Sequence, residues 1–226
     1  MRGLVASQGL IACVGLALLV SACVTPTKRP TPAPPSPAAP TSVEGLVAAI
    51  QADSQRSDHE SDGKTRAQLA DEASSYADAC LALAPQAAAC LYGRGLALGL
   101  EARAHPTRAG ELLKSMLESL NGAAAADPDY DQAGPARVRA LVLIRAPGWP
   151  LGPGDADAGV ESARAAVKLK PLYPPNQLAL AEGLAKIGDA GGARDAYAQA
   201  RDAAQALPPG EDRDAWLREA DQGLRK

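Results

Sequence analysis

Four helix-like runs in this chain each stop at a proline: Ala84-Pro85, Asp127-Pro128, Lys170-Pro171 and Leu207-Pro208. Proline has no amide proton, and its ring clashes with the preceding turn, so each is a stop signal rather than a helix interior. The stops lie 43, 43 and 37 residues apart, a period that belongs to stacked helical hairpins. Composition agrees. Of 226 residues, 50 are alanine and none is phenylalanine, with two Trp and five Tyr as the whole aromatic complement. Alanine is the best helix former, and strands draw on β-branched and aromatic residues that are scarce here. An all-α solenoid of helical hairpins is therefore expected.

The last unit is the clearest. Counting from Pro174, Leu180, Ala181 and Leu184 take positions 7, 8 and 11, and Gly188-Asp189 falls at the hairpin turn. Ala193, Tyr197 and Ala200 take positions 20, 24 and 27. This set resembles the tetratricopeptide pattern, in which small residues let two antiparallel helices touch. Earlier units are degenerate. Leu91, Gly95 and Leu98 fit one first helix, and Ala73 and Cys80 fit an earlier second helix. Leu112, Leu113, Met116, Leu117 and Leu120 recur at amphipathic spacing in between. Residues 210–225 place Trp216, Leu217, Ala220 and Leu224 on one face and charges on the other, as a solenoid cap requires.

Residues 1–22 have the form of a secretory signal. Arg2 supplies the positive start, and Leu10 to Val20 is an uncharged apolar run of 11. Ser21-Ala22-Cys23 directly after it resembles a bacterial lipobox, which implies cleavage before Cys23 and acylation of that cysteine. The alternative is an uncleaved anchor, and either one tethers the chain to a membrane. Val24, rather than Asp, after the cysteine points to the outer membrane. Residues 23–41 then form a lipidated cysteine and a linker with seven prolines between Val24 and Thr41, an extended tether rather than a core. Thr41-x-x-Glu44 has the form of a capping box, and residues 42–226 form the helical-repeat domain.

Removing the signal and Cys23 leaves Cys80 and Cys90, each five residues from Pro85. Positions equidistant from a hairpin turn face each other, and an exported compartment is oxidising, so a disulfide is expected. Two small buried thiols are the alternative. His59 and His105 have no second ligand three or four residues away, so no metal site is expected. Asp127-x-Asp129-x-Asp131 opens like a calcium loop, but Val138 stands at the twelfth position, and an acidic cap for the next helix is the simpler reading. Gly93, Gly95 and Gly99 lie within a helical run, where close packing explains them better than a phosphate loop. No catalytic constellation or cofactor motif is present, so a non-enzymatic protein is expected. The net charge of −3 offers no basic field for nucleic acid.

Three stretches carry a further likeness: LYGRGLALGLEAR from Leu91, ADPDYDQAGPARVRALVLIRAPGWPLGPGD from Ala126, and ARAAVKLKPLYPPNQLALAEGLAKIGD from Ala163. The succession Asp-Pro, Gly-Pro-x-Arg, Ala-Pro-Gly-Trp-Pro and Tyr-Pro-Pro-Asn resembles the TatT-component family, lipoproteins associated with tripartite ATP-independent periplasmic (TRAP) transporters. The resemblance covers roughly residues 70–206. It implies degenerate tetratricopeptide hairpins, self-association, and partnership with a periplasmic solute-binding protein. Arg139 and Ala140 depart from the family's more usual Leu-Gly, which weakens the inference of an aromatic-lined channel.

Tetratricopeptide arrays line their concave face with positions 2, 5, 9, 12 and 13 of each first helix. Here these are Tyr92, Leu96 and Leu100, then Arg137, Leu141, Ile144 and Arg145, then Leu178, Glu182 and Lys186. They describe an apolar strip with a few cations, suited to a protein partner's apolar patch or to an amphipathic organic acid. The leucines are equally compatible with a plain core. The arginines are equally compatible with solvent, or with pairing to the Asp127–Asp131 turn. Trp149, between Gly148 and Pro150, either plugs the end of a hairpin or offers an anchor to a partner. The leading expectation is a lipid-anchored periplasmic repeat protein that binds a protein partner. A small-molecule or lipid carrier and a general envelope scaffold are the alternatives.

Overall fold

A computed structural model describes residues 40–225. The expected signal peptide, the lipidation site Cys23 and nearly all of the linker lie outside the described residues. Those described form nine α-helices: α1 (Val43–His59), α2 (Gly63–Leu83), α3 (Ala88–Ala104), α4 (Ala109–Ala126), α5 (Tyr130–Arg145), α6 (Ala156–Leu169), α7 (Pro174–Lys186), α8 (Ala190–Gln205) and α9 (Glu211–Leu224). The fold is all-α. No described helix is long and apolar enough to cross a membrane.

The local signals act where the sequence places them. Helices α2, α4, α6 and α8 end two or three residues before Pro85, Pro128, Pro171 and Pro208. Asp62, Asp155 and Asp189 cap the following helices by accepting from the backbone N–H of Thr65, Ala158 and Gly192, each satisfying an otherwise orphaned donor. Gly188 takes φ 85° in the α7–α8 turn, a region open to glycine at little cost. The first cap differs from expectation. Ser42, not Thr41, accepts from Gly45 N–H, and the expected Thr41–Glu44 box does not form.

Each helix packs on its sequence neighbour, and the odd-numbered helices also touch one another in succession. The result is two layers, with α1, α3, α5, α7 and α9 inside and α2, α4, α6 and α8 outside. Alanine makes the closest contacts: Ala73, Ala77, Ala163, Ala166, Ala181, Ala193 and Ala200 are all buried. The α3 glycines serve the same end. A Cβ on Gly93 would come within 3.0 Å of Ile50 Cδ1, and one on Gly95 within 3.0 Å of Leu120 Cδ2. Cys80 and Cys90 form the expected disulfide, closing the α2–α3 hairpin with Cα atoms 5.3 Å apart.

Successive inner helices do not close equally. Between α5 and α7, Ala140, Ala163 and Ala179 pack around Ile144, and the backbones come together. Helices α3 and α5 meet only sparsely, because Leu113 and Met116 of α4 fill the space between them. That gap opens on the inner face.

Candidate functional site

The gap forms a groove of about 540 Å³. Its floor is Leu96 and Gly99 from α3, Leu113 and Met116 from α4, and Val138, Leu141 and Val142 from α5. Gly99 keeps the floor open by allowing Met116 to lie against α3; a Cβ there would stand 3.3 Å from the Met116 thioether. Ser54 and Asp58 of α1 form one wall, and Arg103 and Arg145 stand at the same end as Asp58. A second cavity of about 140 Å³ shares Leu141 and Arg145 and runs on past Leu178, Trp216 and Glu219. The groove therefore continues from α1 to α9.

Its rim carries paired charge. Arg103 Nη1 lies 2.6 Å from Asp58 Oδ1, linking α3 to α1. Arg145 donates through Nε and Nη2 to both oxygens of Glu182, at 2.8 and 2.6 Å. These bonds hold the Arg145 guanidinium charge more firmly than usual, with Glu219 and Asp58 adding to the effect. Burial pushes the Glu219 carboxyl up; Arg145 opposes the shift and Glu182 reinforces it. The two cavities are lined by the carboxylates Asp58, Glu182 and Glu219 and by the guanidiniums Arg103, Arg137 and Arg145.

Other residues expected at the site belong to a polar clasp beside it. Asp131, Gln132 and Ala133 all take positive φ, between 49° and 63°, a left-handed conformation that opposes L side chains. The turn places the Asp131 carboxylate under α3. Tyr92 O–H donates to Asp131 Oδ2 at 2.8 Å, and Arg137 Nη2 donates to the same oxygen at 2.9 Å. Arg137 Nη1 reaches the carbonyls of Asp131 and Gln132 and Asn176 Oδ1 at 3.1–3.2 Å. Asn176 Nδ2 in turn donates to the carbonyls of Gln132, Ala166 and Lys170. The guanidinium also stacks over the Tyr173 ring, 5.1 Å from its centroid. Arg137 is only 8% exposed and Tyr92 3%. Burial, followed by the Asp131 charge, holds the Tyr92 phenol well above its ordinary range.

The sequence-derived candidates thus divide. Leu96, Leu141 and Arg145 line the groove. Tyr92 is turned inward, and Arg137 lines the second cavity with its guanidinium engaged in the clasp. Leu100 is core, packed on Ile50, Ala70 and Ala97, because α1 covers the face of α3 that an array's first helix would leave open. Ile144 and Leu178 are buried as well. The Asp127–Asp131 turn gives α5 no side-chain cap; instead Asp131 pairs with Arg137, the alternative the sequence left open. Trp149 plugs nothing: it is 91% exposed, beside Leu151 at 77%, on a loop pinned by Asp155 N–H to Leu143 C=O and Gly154 N–H to Pro147 C=O. Groove residues that the repeat positions did not indicate are Asp58, Leu113, Met116, Val138, Val142 and Glu219. The two-faced amphipathicity of α4 was the available signal for Leu113 and Met116.

No protein-family model matches the chain, and a search of curated proteins finds no match.

Proposed function

We propose that this is a lipid-anchored periplasmic helical-repeat protein whose groove takes an apolar segment of a protein partner. The partner class proposed is the solute receptor of a TRAP-type transport system, for which the chain would act as an accessory lipoprotein. The observation that carries the reading is the groove floor of half-buried Leu96 and Leu141 over buried Met116, bounded by the Asp58–Arg103 and Arg145–Glu182 pairs. Monomers rarely leave a contiguous apolar surface open without a use for it, and a charged rim around an apolar floor gives a partner both affinity and register. The N-terminal signal and Cys23 add the address, and the proline-rich linker adds the reach. The clasp keeps the inner wall rigid, so presentation of the groove requires little ordering on binding.

Calorimetric titration of a TRAP-type solute receptor into the purified chain tests the reading. Leu141→Glu places a charge on the floor and should weaken binding at least tenfold, while circular dichroism stays unchanged. Equal affinity for the variant would sink the assignment. An apolar compound retained in native mass spectrometry, and lost in the same variant, would favour the carrier instead. Membrane fractionation tests the address: Cys23→Ser should move the protein to the soluble fraction.

A further inference from the structure

We propose that the Trp149 loop is a lipid contact, which enters the headgroup layer of a neutral phospholipid bilayer and sets which end of the helical array faces the membrane. This rests on the lipid anchor at Cys23, which keeps a bilayer within reach. The loop between α5 and α6, residues 146–154, reads Ala-Pro-Gly-Trp-Pro-Leu-Gly-Pro-Gly. It has no charged side chain, and its one polar side-chain atom is the indole nitrogen of Trp149. Pro147 to Leu151 are exposed without a break, so the apolar tip faces outward.

The backbone of the loop is prepared for dehydration. Pro147, Pro150 and Pro153 have no N–H to leave unpaired. The N–H groups of Leu151 and Gly152 donate to the Gly148 carbonyl, that of Gly154 to Pro147, and that of Asp155 to Leu143. A donor taken out of water without a partner is costly, and this loop takes few. It is also braced from behind. Gly110 in the first turn of α4 sits under the Leu151 carbonyl, where a Cβ would stand 3.1 Å from the oxygen.

Lipid suits this tip better than a protein partner does. A protein interface surrounds its apolar centre with a polar rim and hydrogen bonds, and the indole N–H is all that the loop's side chains offer toward one. Tryptophan is the side chain that settles at the headgroup level, its ring in apolar surroundings and its N–H wet. Glu111, Lys114 and Asp155 line the hollow behind the loop. Two carboxylates against one ammonium give no attraction to an anionic surface, so a zwitterionic headgroup layer is the match.

The tether allows the contact and does not dictate it. Seventeen residues separate Cys23 from Pro40, a contour length of about 55–60 Å. Helix α1 has 17 residues, about 26 Å, so either end of the array is within reach of the lipid. A lone Trp-Leu tip binds weakly and reversibly, and stable attachment takes two signals, of which the acylated cysteine is the other. The loop then turns the α3–α4 and α5–α6 connections toward the lipid, and the turns at Pro85, Pro128, Pro171 and Pro208 toward the aqueous side.

The test uses the full lipidated chain with Trp216→Phe, in which Trp149 is the sole tryptophan, reconstituted in phosphatidylcholine vesicles with and without bromine on the acyl chains. Bromine should lower the Trp149 emission about twofold, and Leu151→Glu in the same chain should restore most of it. Wild-type emission less that of Trp149→Phe gives the same quantity without disturbing the C-terminal cap. High salt should leave the quenching unchanged; quenching confined to anionic vesicles at low salt overturns the neutral contact. A chain that floats with the vesicles while Trp149 stays equally bright in both lipids overturns the inference and leaves the anchor standing. A chain that does not float removes both. Trp149 untouched by bromine but shielded from iodide once a TRAP-type solute receptor is added assigns the loop to a protein surface instead.

Discussion

The α3–α5 and α5–α7 junctions are built from the same repeat and end in opposite states. At α5–α7, alanines bring the backbones together and a buried Arg137–Asp131–Asn176 network locks them. At α3–α5, leucine and methionine from the outer layer hold the helices apart and leave a groove. Side-chain size therefore decides whether a repeat interface closes, and a buried cation bonded across it can fix the closed one. Rigidity on one side is what allows an opening on the other.

The largest expected effect comes from breaking the lock. Arg137→Ala leaves the Asp131 carboxylate and Asn176 Oδ1 without that donor, and removing one partner of a buried pair costs about 3–5 kcal/mol. Urea unfolding should show a loss of this size, and a loss below about 1 kcal/mol, the level of a surface pair, would show the clasp to be ornamental. Next in size is a paired substitution. A Cβ on Gly159 would stand 2.6 Å from Ile144 Cγ1 and 3.2 Å from the Ala140 carbonyl, so Gly159→Ala should cost about 1–3 kcal/mol of overpacking. Gly99→Ala on the groove floor meets only the movable end of Met116 and should be neutral or gain up to about 1 kcal/mol of helix propensity. Equal melting temperatures for the two variants would erase the distinction between the junctions.

The smallest effect concerns α1, the outer wall of the groove. Asp53 is 4% exposed, and its Oδ2 has no hydrogen-bond partner in the described structure. Burial pushes its carboxyl above the ordinary 3.8, with Glu72 adding to the shift and Arg56 opposing it. A folded-state pKa raised in this way means that the folded chain holds the proton more tightly. The Asp53 contribution to stability is therefore greatest below 3.8 and is lost as pH rises through the folded value. Asp53→Asn should stabilise the chain at pH 7 by about 1 kcal/mol and gain less on acidification than wild type does. Melting temperatures at pH 7.5 and 4.5 check both; a variant less stable at both would show that the bond from Arg56 outweighs the burial.

Features set by a single residue type were legible in advance. Proline stops, alanine contacts and the equidistant cysteines each follow from local chemistry, and all appear. The groove was half legible: Leu96, Leu141 and Arg145 follow from repeat positions, but Leu100 does not, because its burial depends on α1 packing across α3. Tyr92 was misplaced for a subtler reason, while Arg137 made the pairing to the Asp127–Asp131 turn that the sequence left open. Three consecutive left-handed residues in Asp-Gln-Ala carry no signature, since the conformation is imposed by bonds to Tyr92 and Arg137 from outside the turn. Trp149 could not be assigned either, because a glycine- and proline-rich loop is equally able to fold inward or stand out.

The loop that holds Trp149 has one more consequence. The chain's two indoles sit in opposite surroundings: Trp149 is almost fully exposed, whereas Trp216 is partly covered and meets Tyr173 edge to face. Excited together, they form a pair of reporters inside one molecule. Iodide should quench the first at concentrations that leave the second bright. Loss of the C-terminal cap would then register in the shielded emission alone, ahead of any change at the loop.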